Sequence, residues 1–239
     1  MPESWSYGRQ KTEKMLLNLG FRVKRKRKRV ITTTPGEVQL PNKTLGLKIT
    51  GANQLWSSDM TYFYTRNGKV NYLIFIVDCY SQKIISHGVY SDYPAENFLE
   101  VLNKAVRLRP EANLKKLVFH SDRGSQYGSK LFRDRLKQLG ITQSMCIYSW
   151  ENAIAEKTND LIKNRYLSHW EPANINELRE MTKRAVKHHN TKATKRKLGR
   201  MSPAQYEAML TECQVSQTKI IKPLKQYGYK LVPASSTLN

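Results

Sequence analysis

The sequence predicts an α/β fold: a mixed five-stranded sheet flanked by helices, with a short basic helical segment before it and a helical extension after it. Three observations predict it. Between residues 54 and 91 three strand-type runs follow one another across tight turns, the pattern of an antiparallel meander. The middle run, residues 69–81, is almost continuously apolar, as in a strand covered on both faces. From residue 94 onward helix-type and strand-type runs alternate, which lays helices onto the sheet.

Residues 8–21, GRQKTEKMLLNLGF, predict a short amphipathic helix with Met15, Leu16, Leu17 and Leu19 on its apolar face and Gly20 as its stop. Lys24, Arg25, Lys26, Arg27, Lys28 and Arg29 follow as an unbroken basic run. Like charges repel along a helix or strand, so this run is expected as an extended arm that orders on DNA phosphates, with a solvated linker or a localisation signal as the other readings. TTTPGEVQLPNKT (32–44) reads as a loop punctuated by Pro35-Gly36 and Pro41-Asn42.

QLWSSDMTYFYT (54–65) is the first strand, with Trp56 expected to pack against the sheet, and Arg66-Asn67-Gly68-Lys69 is a hairpin turn. The second strand (69–81) and the third, KIISHGVYS (83–91), complete the meander. A helix over 94–109 keeps Phe98, Leu99, Leu102, Ala105 and Val106 on one face, and Pro94 suits its start. KLVFHS (116–121) is strand four. SKLFRDRLKQLG (129–140) is a helix with Ser129 as cap and Gly140 as stop, and ITQSMC (141–146) is strand five. A long helix covers 150–170, another runs from Asn174-Ile175-Asn176 to about His189, and a last short helix starts with Ser202 as cap and Pro203 behind it.

The 239 residues are 39% hydrophobic and 25% charged, an ordinary globular balance, but 41 Lys and Arg stand against 19 Asp and Glu, a formal charge of +22. That excess implies a polyanionic partner, most simply nucleic acid. Cys79, Cys146 and Cys213 are scattered and form no CxxC pair, and His87, His169, His188 and His189 have no cysteine at ligand spacing, so neither a disulfide framework nor a zinc site is expected. A reducing cytoplasm fits. The start carries no signal-peptide pattern and no apolar run reaches membrane-spanning length, so no membrane role is expected.

Three acids stand out by position. Asp59 lies in strand one, Asp122 just past strand four, and Glu156 in the first half of the long helix. Strands one and four can be neighbours in this topology, and the helix can lay Glu156 across their ends. Three close carboxylates repel, and a chain this poor in acids resolves the repulsion most simply with divalent metal. All-oxygen donors suit Mg2+ or Mn2+, and two such ions can support an in-line phosphoryl displacement. An Asp at a strand end is more often a turn former, so the residues around each acid decide. Asp78 and Asp92 also end strands, and both read as structural.

The surrounding words are NQLWSSDMTYF (53–63), HSDRGSQYGS (120–129) and ENAIAEKTNDLIK (151–163), with 156 − 122 = 34 positions from the second Asp to the Glu. Together they resemble the integrase-core transposases of bacterial insertion sequences, relatives of retroviral integrases, over roughly residues 50–210. The resemblance implies a ribonuclease-H-like fold, an Asp-Asp-Glu triad of Asp59, Asp122 and Glu156, and two Mg2+ or Mn2+ ions, with Asp59 bridging them. It implies DNA cleavage and strand transfer at transposon ends by a homo-oligomer on DNA, in the bacterial cytoplasm at the nucleoid. The pattern N-A-x-A-E selects Glu156 over Glu151. Lys163, two helical turns on and on the same face, corresponds to a basic residue that meets transposon-end DNA, and Arg123 is a further expected contact. Gln126 and Tyr127 match the motif as supports of the site, and His120 is expected to orient the Asp122 loop or meet a water of the site.

Two stretches depart from the family pattern. Lys195-Arg196 stands where the family has a Pro-His step, which puts DNA contacts there in doubt. The N-terminus resembles only the last piece of the helix-turn-helix region that precedes such cores, so an upstream-frame helix-turn-helix polypeptide is an expected partner. The domains expected are 1–49, partial DNA-binding segment and basic linker; 50–170, catalytic core; 171–211, helical C-terminal part; and 212–239, a polar tail, partly disordered. A structure-directed nuclease and an inactive DNA-binding relic are the alternative functions.

Overall fold

The structure is a computed structural model and describes residues 9–21 and 37–215. The basic run Lys24–Arg29 and most of the tail lie outside the described residues. The described chain forms two units, one carrying only the first helix and one carrying everything from residue 37 on. In the first, helix α1 spans Arg9–Asn18 and ends where the Phe21 amide bonds the Leu16 carbonyl at 2.9 Å and the Gly20 amide that of Leu17 at 3.0 Å, a paired closure that satisfies orphan carbonyls.

The second unit is built on one sheet in the order β3-β2-β1-β4-β5. β1 (Leu55–Tyr64), β2 (Val70–Asp78) and β3 (Ile84–Tyr90) form the expected antiparallel meander. β4 (Val118–Ser121) pairs parallel to β1, and β5 (Thr142–Met145) parallel to β4. Parallel pairing follows from the helical crossovers α2 (Ala95–Leu108), then α3 (Ser125–Gly128) and α4 (Lys130–Leu139). The Ser129 hydroxyl accepts from the Phe132 amide at 3.2 Å, and Gly140 closes α4 with φ +71°, a left-handed conformation that costs glycine nothing.

Alternation sorts the sheet into two faces. On one, Trp56, Ile74, Ile76, Phe119 and Met145 pack with Phe98, Leu102, Tyr127 and Phe132 of α2, α3 and α4. On the other, Leu73, Phe75 and Val77 meet Ile162 of α5 (Ala153–Ile162), together with Leu178, Ala185 and Val186 of α7 (Ile175–Thr191). Between them a π-helical turn (Lys163–Leu167) leads into the single turn α6 (Ser168–Trp170). α8 (Pro203–Val215) is tied down by Glu207, which accepts from Lys83 at 2.7 Å, Ser81 at 2.7 Å and Arg109 at 2.5 Å.

Several boundaries differ from the sequence reading. β2 stops at Asp78, not 81, because the fully buried Asp78 carboxylate takes the amides of Asn53 (2.6 Å), Tyr80 (2.9 Å) and Ser81 (2.9 Å) and turns the chain. Asp92 bonds the Asn97 side chain at 3.0 Å. β4 begins at Val118 because Leu114–Lys116 closes a 3-10 turn. The long helix over 150–170 is four pieces: a 3-10 turn (Ser149–Asn152), α5, the π turn and α6. α3 had no periodic signal, since four residues are too few to show one.

Candidate active site

The β1–β4 register brings the first two acids together. Ser57 pairs with His120, and Asp59 and Asp122 each lie two residues further along their parallel strands. Side chains two apart share a face, so both acids belong to the face that α5 covers. At Asp122 the chain has left β4, and the carboxylate Oδ1 accepts the Gly124 amide at 3.1 Å. A Cβ at Gly124 would stand 3.0 Å from that same oxygen, so a side chain there would require the Asp122 carboxylate to shift by a few tenths of an ångström.

α5 is laid along β1 by three polar anchors. Asn152 donates to the Ser58 carbonyl at 3.0 Å and bonds the Ser57 hydroxyl. The buried Asn159 donates Nδ2 to Asp59 Oδ2 at 2.8 Å, and Lys163 donates Nζ to Thr61 Oγ1 at 3.0 Å. From 152 to 163 this is one stripe of the helix, running in the direction of β1 from Ser57 to Thr61. Glu156 lies in that stripe between Asn152 and Asn159, and it is exposed, at the open side of the site. The π turn that begins at Lys163 changes the helical register just past this stripe; such turns are frequent at functional sites.

Asp122 and Glu156 lie within electrostatic range of Asp59. Desolvation raises the Asp59 carboxyl to about 8, and the charges of Asp122 and then Glu156 push in the same direction. The Met60 amide and the Asn159 side chain oppose this rise. Cys146, at the end of β5, is raised to about 12 by burial and then by Asp122, Glu151, Asp59 and Glu156, so the sheet edge there faces the same acids. Among the described residues no three His, Cys, Asp or Glu side chains form a closed metal-ligating group. The donor types are nevertheless those a hard divalent cation takes: carboxylate oxygens of Asp59, Asp122 and Glu156, and the buried Asn159 Oδ1, which has no hydrogen-bond partner.

The other expected site residues have separate places. Lys163 is half-buried, its ammonium 4.7 Å from the centre of the Tyr62 ring, and burial lowers its pKa. Tyr127 is buried with its hydroxyl 2.8 Å from Ser58 Oγ, on the opposite face of the sheet from the acids, and its carbonyl accepts from Gln143 at 2.8 Å. Gln126 lies half-buried beside Gly124. His120 bonds Ser144 Oγ at 3.0 Å through Nδ1, and desolvation lowers its pKa to about 4, so it is neutral near pH 7. Arg123 donates to Gln39 at 2.9 Å. Asn159 and Asn152 were missed by the sequence reading; the i, i+3 and i−4 spacing from Glu156 was the available signal.

Asn159 supports one prediction directly. Asn159→Ala leaves the Asp59 carboxyl without its side-chain donor, which should raise its pKa further and cost about 1–3 kcal/mol of stability near neutral pH. Thermal melts of both proteins without divalent metal check this; equal melting temperatures would assign Asn159 no hold on Asp59.

Known proteins resemble this chain in sequence and in fold. Residues 50–148 match the Integrase core domain family. The Insertion element IS600 uncharacterized 31 kDa protein of Shigella sonnei is 32% identical over 208 residues, 83% of this chain and 74% of that protein. The transposase for insertion sequence element IS629 of Shigella sonnei is 33% identical over 157 residues, 65% of this chain and 52% of the relative. The chain also spans 58% of the length of the Mycobacterium tuberculosis proteins of element IS986/IS6110. Among solved structures, the HTLV-2 integrase catalytic core domain in complex with magnesium superposes with a TM-score of 0.52 at 19% identity, over 65% of this chain and 96% of that one. A chain of the simian T-cell lymphotropic virus intasome in complex with PP2A regulatory subunit B56 gamma superposes with a TM-score of 0.56 at 16% identity, over 89% of this chain and 68% of that one. These likenesses establish the ribonuclease-H-like fold, and with the matching domain and the relative aligned over most of both lengths, the chain belongs to the integrase-core (DDE) transposases of insertion sequences.

Proposed function

We propose that this chain carries out phosphodiester cleavage and strand transfer on DNA at transposon ends, with Asp59, Asp122 and Glu156 as the catalytic acids. The observation that carries this reading is the coupling of Asp59 to both other acids while Asn159 holds its carboxyl in place. When bound, two divalent ions, Mg2+ or Mn2+, held by these carboxylates would supply Lewis-acid activation and charge neutralisation for an in-line displacement.

The protein's own contribution is positioning. Asp59 sits on a central strand, where sheet hydrogen bonds on β2 and the Asn159 amide restrict it. Asp122 is restricted by the Gly124 amide, and Glu156 stands exposed, where a DNA phosphate can reach it. Lys163 extends the site along β1 beyond Asp59. There β1 pairs with β2 alone, because β4 meets only Leu55–Ser57. An ammonium held by Thr61 and Tyr62 at that open edge supports a contact to a DNA phosphate. Arg123 and the basic arm Lys24–Arg29 are proposed as further phosphate contacts, and His120, Gln126 and Tyr127 as residues that hold the Asp122 loop and β4. A homo-oligomer on DNA and a helix-turn-helix partner polypeptide belong to the same proposal.

The experiment is a strand-transfer assay on labelled element-end DNA with Mg2+ or Mn2+, which separates joining from simple cutting. Joined products support the reading; cut but never joined DNA would make the chain a nuclease. Lys163→Ala should weaken DNA binding uniformly across sequences and reduce the slope of log K against log salt by about one, with Lys163→Arg keeping it. An unchanged slope in a salt titration would return Lys163 to a purely structural role.

A further inference from the structure

One group of cations lies outside the stripe of α5 that runs along β1. Lys157 and Arg165 are exposed, on α5 and on the π turn that follows it, and Lys195 is half-buried in the segment between α7 and α8. Eight positions make about 2.2 turns of a regular α-helix, which would set Arg165 well off the Lys157 face. The π turn spreads more residues over each turn and rotates Arg165 back toward that face. Burial, then Lys157 and then Arg165, lower the Lys195 pKa to about 8, so both cations stand within electrostatic range of it.

The backbone holds these cations where they are. Lys195 forms a short antiparallel bridge with Met201: its amide bonds the Met201 carbonyl at 2.9 Å, and its carbonyl accepts the amides of Leu198 at 3.0 Å and Arg200 at 2.9 Å. The buried Ala193 and Leu198 fasten the same segment. Arg165 precedes the buried Tyr166, whose hydroxyl bonds His188 Nδ1 at 2.9 Å and ties the π turn to the end of α7. His189 lies at that end too, but burial and then Lys195 lower its pKa to about 4, so it is neutral near pH 7 and adds no charge. None of Lys157, Arg165 and Lys195 forms an ion pair with a carboxylate among the described residues. Glu207 gathers Lys83 and Arg109 around one carboxylate, whereas here the fold gathers three cations around none. Repulsion held in place this way costs stability, and an anion shared by all three offsets it.

We propose that Lys157, Arg165 and Lys195 form a cradle for a backbone phosphate of DNA. This rests on the DNA reading above and adds to it a phosphate site outside the stripe that carries Glu156 and Lys163. A guanidinium fork and two ammonium groups match both the charge and the oxygen acceptors of a phosphodiester. Lys157 directly follows Glu156 in α5, so a duplex seated in the cradle passes beside the acid cluster. Lys195 belongs to the stretch whose sequence departs from the family pattern, so the cradle is a feature of this chain.

The test uses the full chain in buffer without divalent metal, so that binding is read apart from cleavage. The probes are a duplex carrying the element end and an unrelated duplex. Lys195→Met keeps the apolar stem and removes the charge, and Arg165→Gln changes an exposed side chain. Each should weaken binding about tenfold and lower the slope of log K against log salt by about one, while Lys195→Arg keeps wild-type binding. Without DNA, Lys195→Met should melt no lower than wild type, because the repulsion is relieved; a lysine that serves the fold alone would instead give a lower melting temperature and unchanged binding. Losses on the element-end probe alone place the phosphate in the end, and equal losses on both probes place it in any duplex, target included. Lys183→Ala, an equal loss of charge at an exposed position of α7, should leave the slope unchanged. A slope that falls as far in Lys183→Ala, or wild-type binding by both Lys195→Met and Arg165→Gln, would overturn the cradle and leave the DNA reading intact. Absence of wild-type binding to either duplex would overturn the DNA reading and the cradle with it.

Discussion

Asp122→Ala is expected to abolish strand transfer, lowering product formation by more than about a hundredfold, since loss of an outer-shell partner alone costs a metal site 10- to 100-fold. The geometry argues that the loss is chemical and not structural. Asp122 lies past the end of β4, half-buried, and its carboxylate accepts the Gly124 amide two residues on. Removing it takes nothing from either core cluster. Asp59→Asn and Glu156→Gln are expected to behave alike: groups that act as one unit do not add, so a double variant should be no slower than the single ones. DNA binding in metal-free buffer should survive all three. A strand-transfer assay with a parallel binding measurement checks this, and a fully active Asp122→Ala protein would remove Asp122 from the chemistry.

The second large effect is on stability and has the opposite sign. Asp59 is raised from its ordinary 3.8 to about 8, first by burial and then by Asp122 and Glu156. Below pH 4 the carboxyl is protonated in both the folded and the unfolded chain and costs nothing. As pH rises, the unfolded chain releases this proton while the folded protein keeps it, so stability falls progressively from about pH 4 and reaches its full loss above about pH 8. Asp59 keeps some solvent access at the cleft, which screens part of the cost and leaves an effect of roughly 2–4 kcal/mol. Asp59→Asn should therefore be more stable than wild type at pH 8–9 without metal, and equal to it near pH 4. Mg2+ or Mn2+ should raise the melting temperature of wild type and not of Asp59→Asn, increasingly so at higher pH, because binding must displace the proton. Melting curves across pH with and without metal decide this; a flat difference between the two proteins would show that Asp59 is not held in a charge-hostile site. Glu207 works in the other direction: its three donors hold its pKa below the ordinary value, so its contribution is present at neutral pH and is lost as pH falls.

What the sequence determined by itself was whatever depends on local pattern. The alternation and apolar runs of 54–91 are local facts, and they are β1, β2 and β3 in order. Ser129, Asn174, Ser202 and Gly140 act where their chemistry suggested, because capping needs only the next few residues. The acids could be singled out from sequence because each lies inside a recognisable word. How they are held was not readable. That Asn159 supports Asp59 across 100 residues, and that Lys163 meets Thr61 rather than standing in solvent, depends on α5 running along β1, a long-range packing choice with no local signature. Asp78 makes the same point at a boundary: the apolar run continues past it, but its buried carboxylate draws in three backbone amides and ends the strand. Pattern decides which elements form, since each element's energy is mostly local. Tertiary packing decides which side chains meet, since desolvation and pairing exist only once distant segments touch.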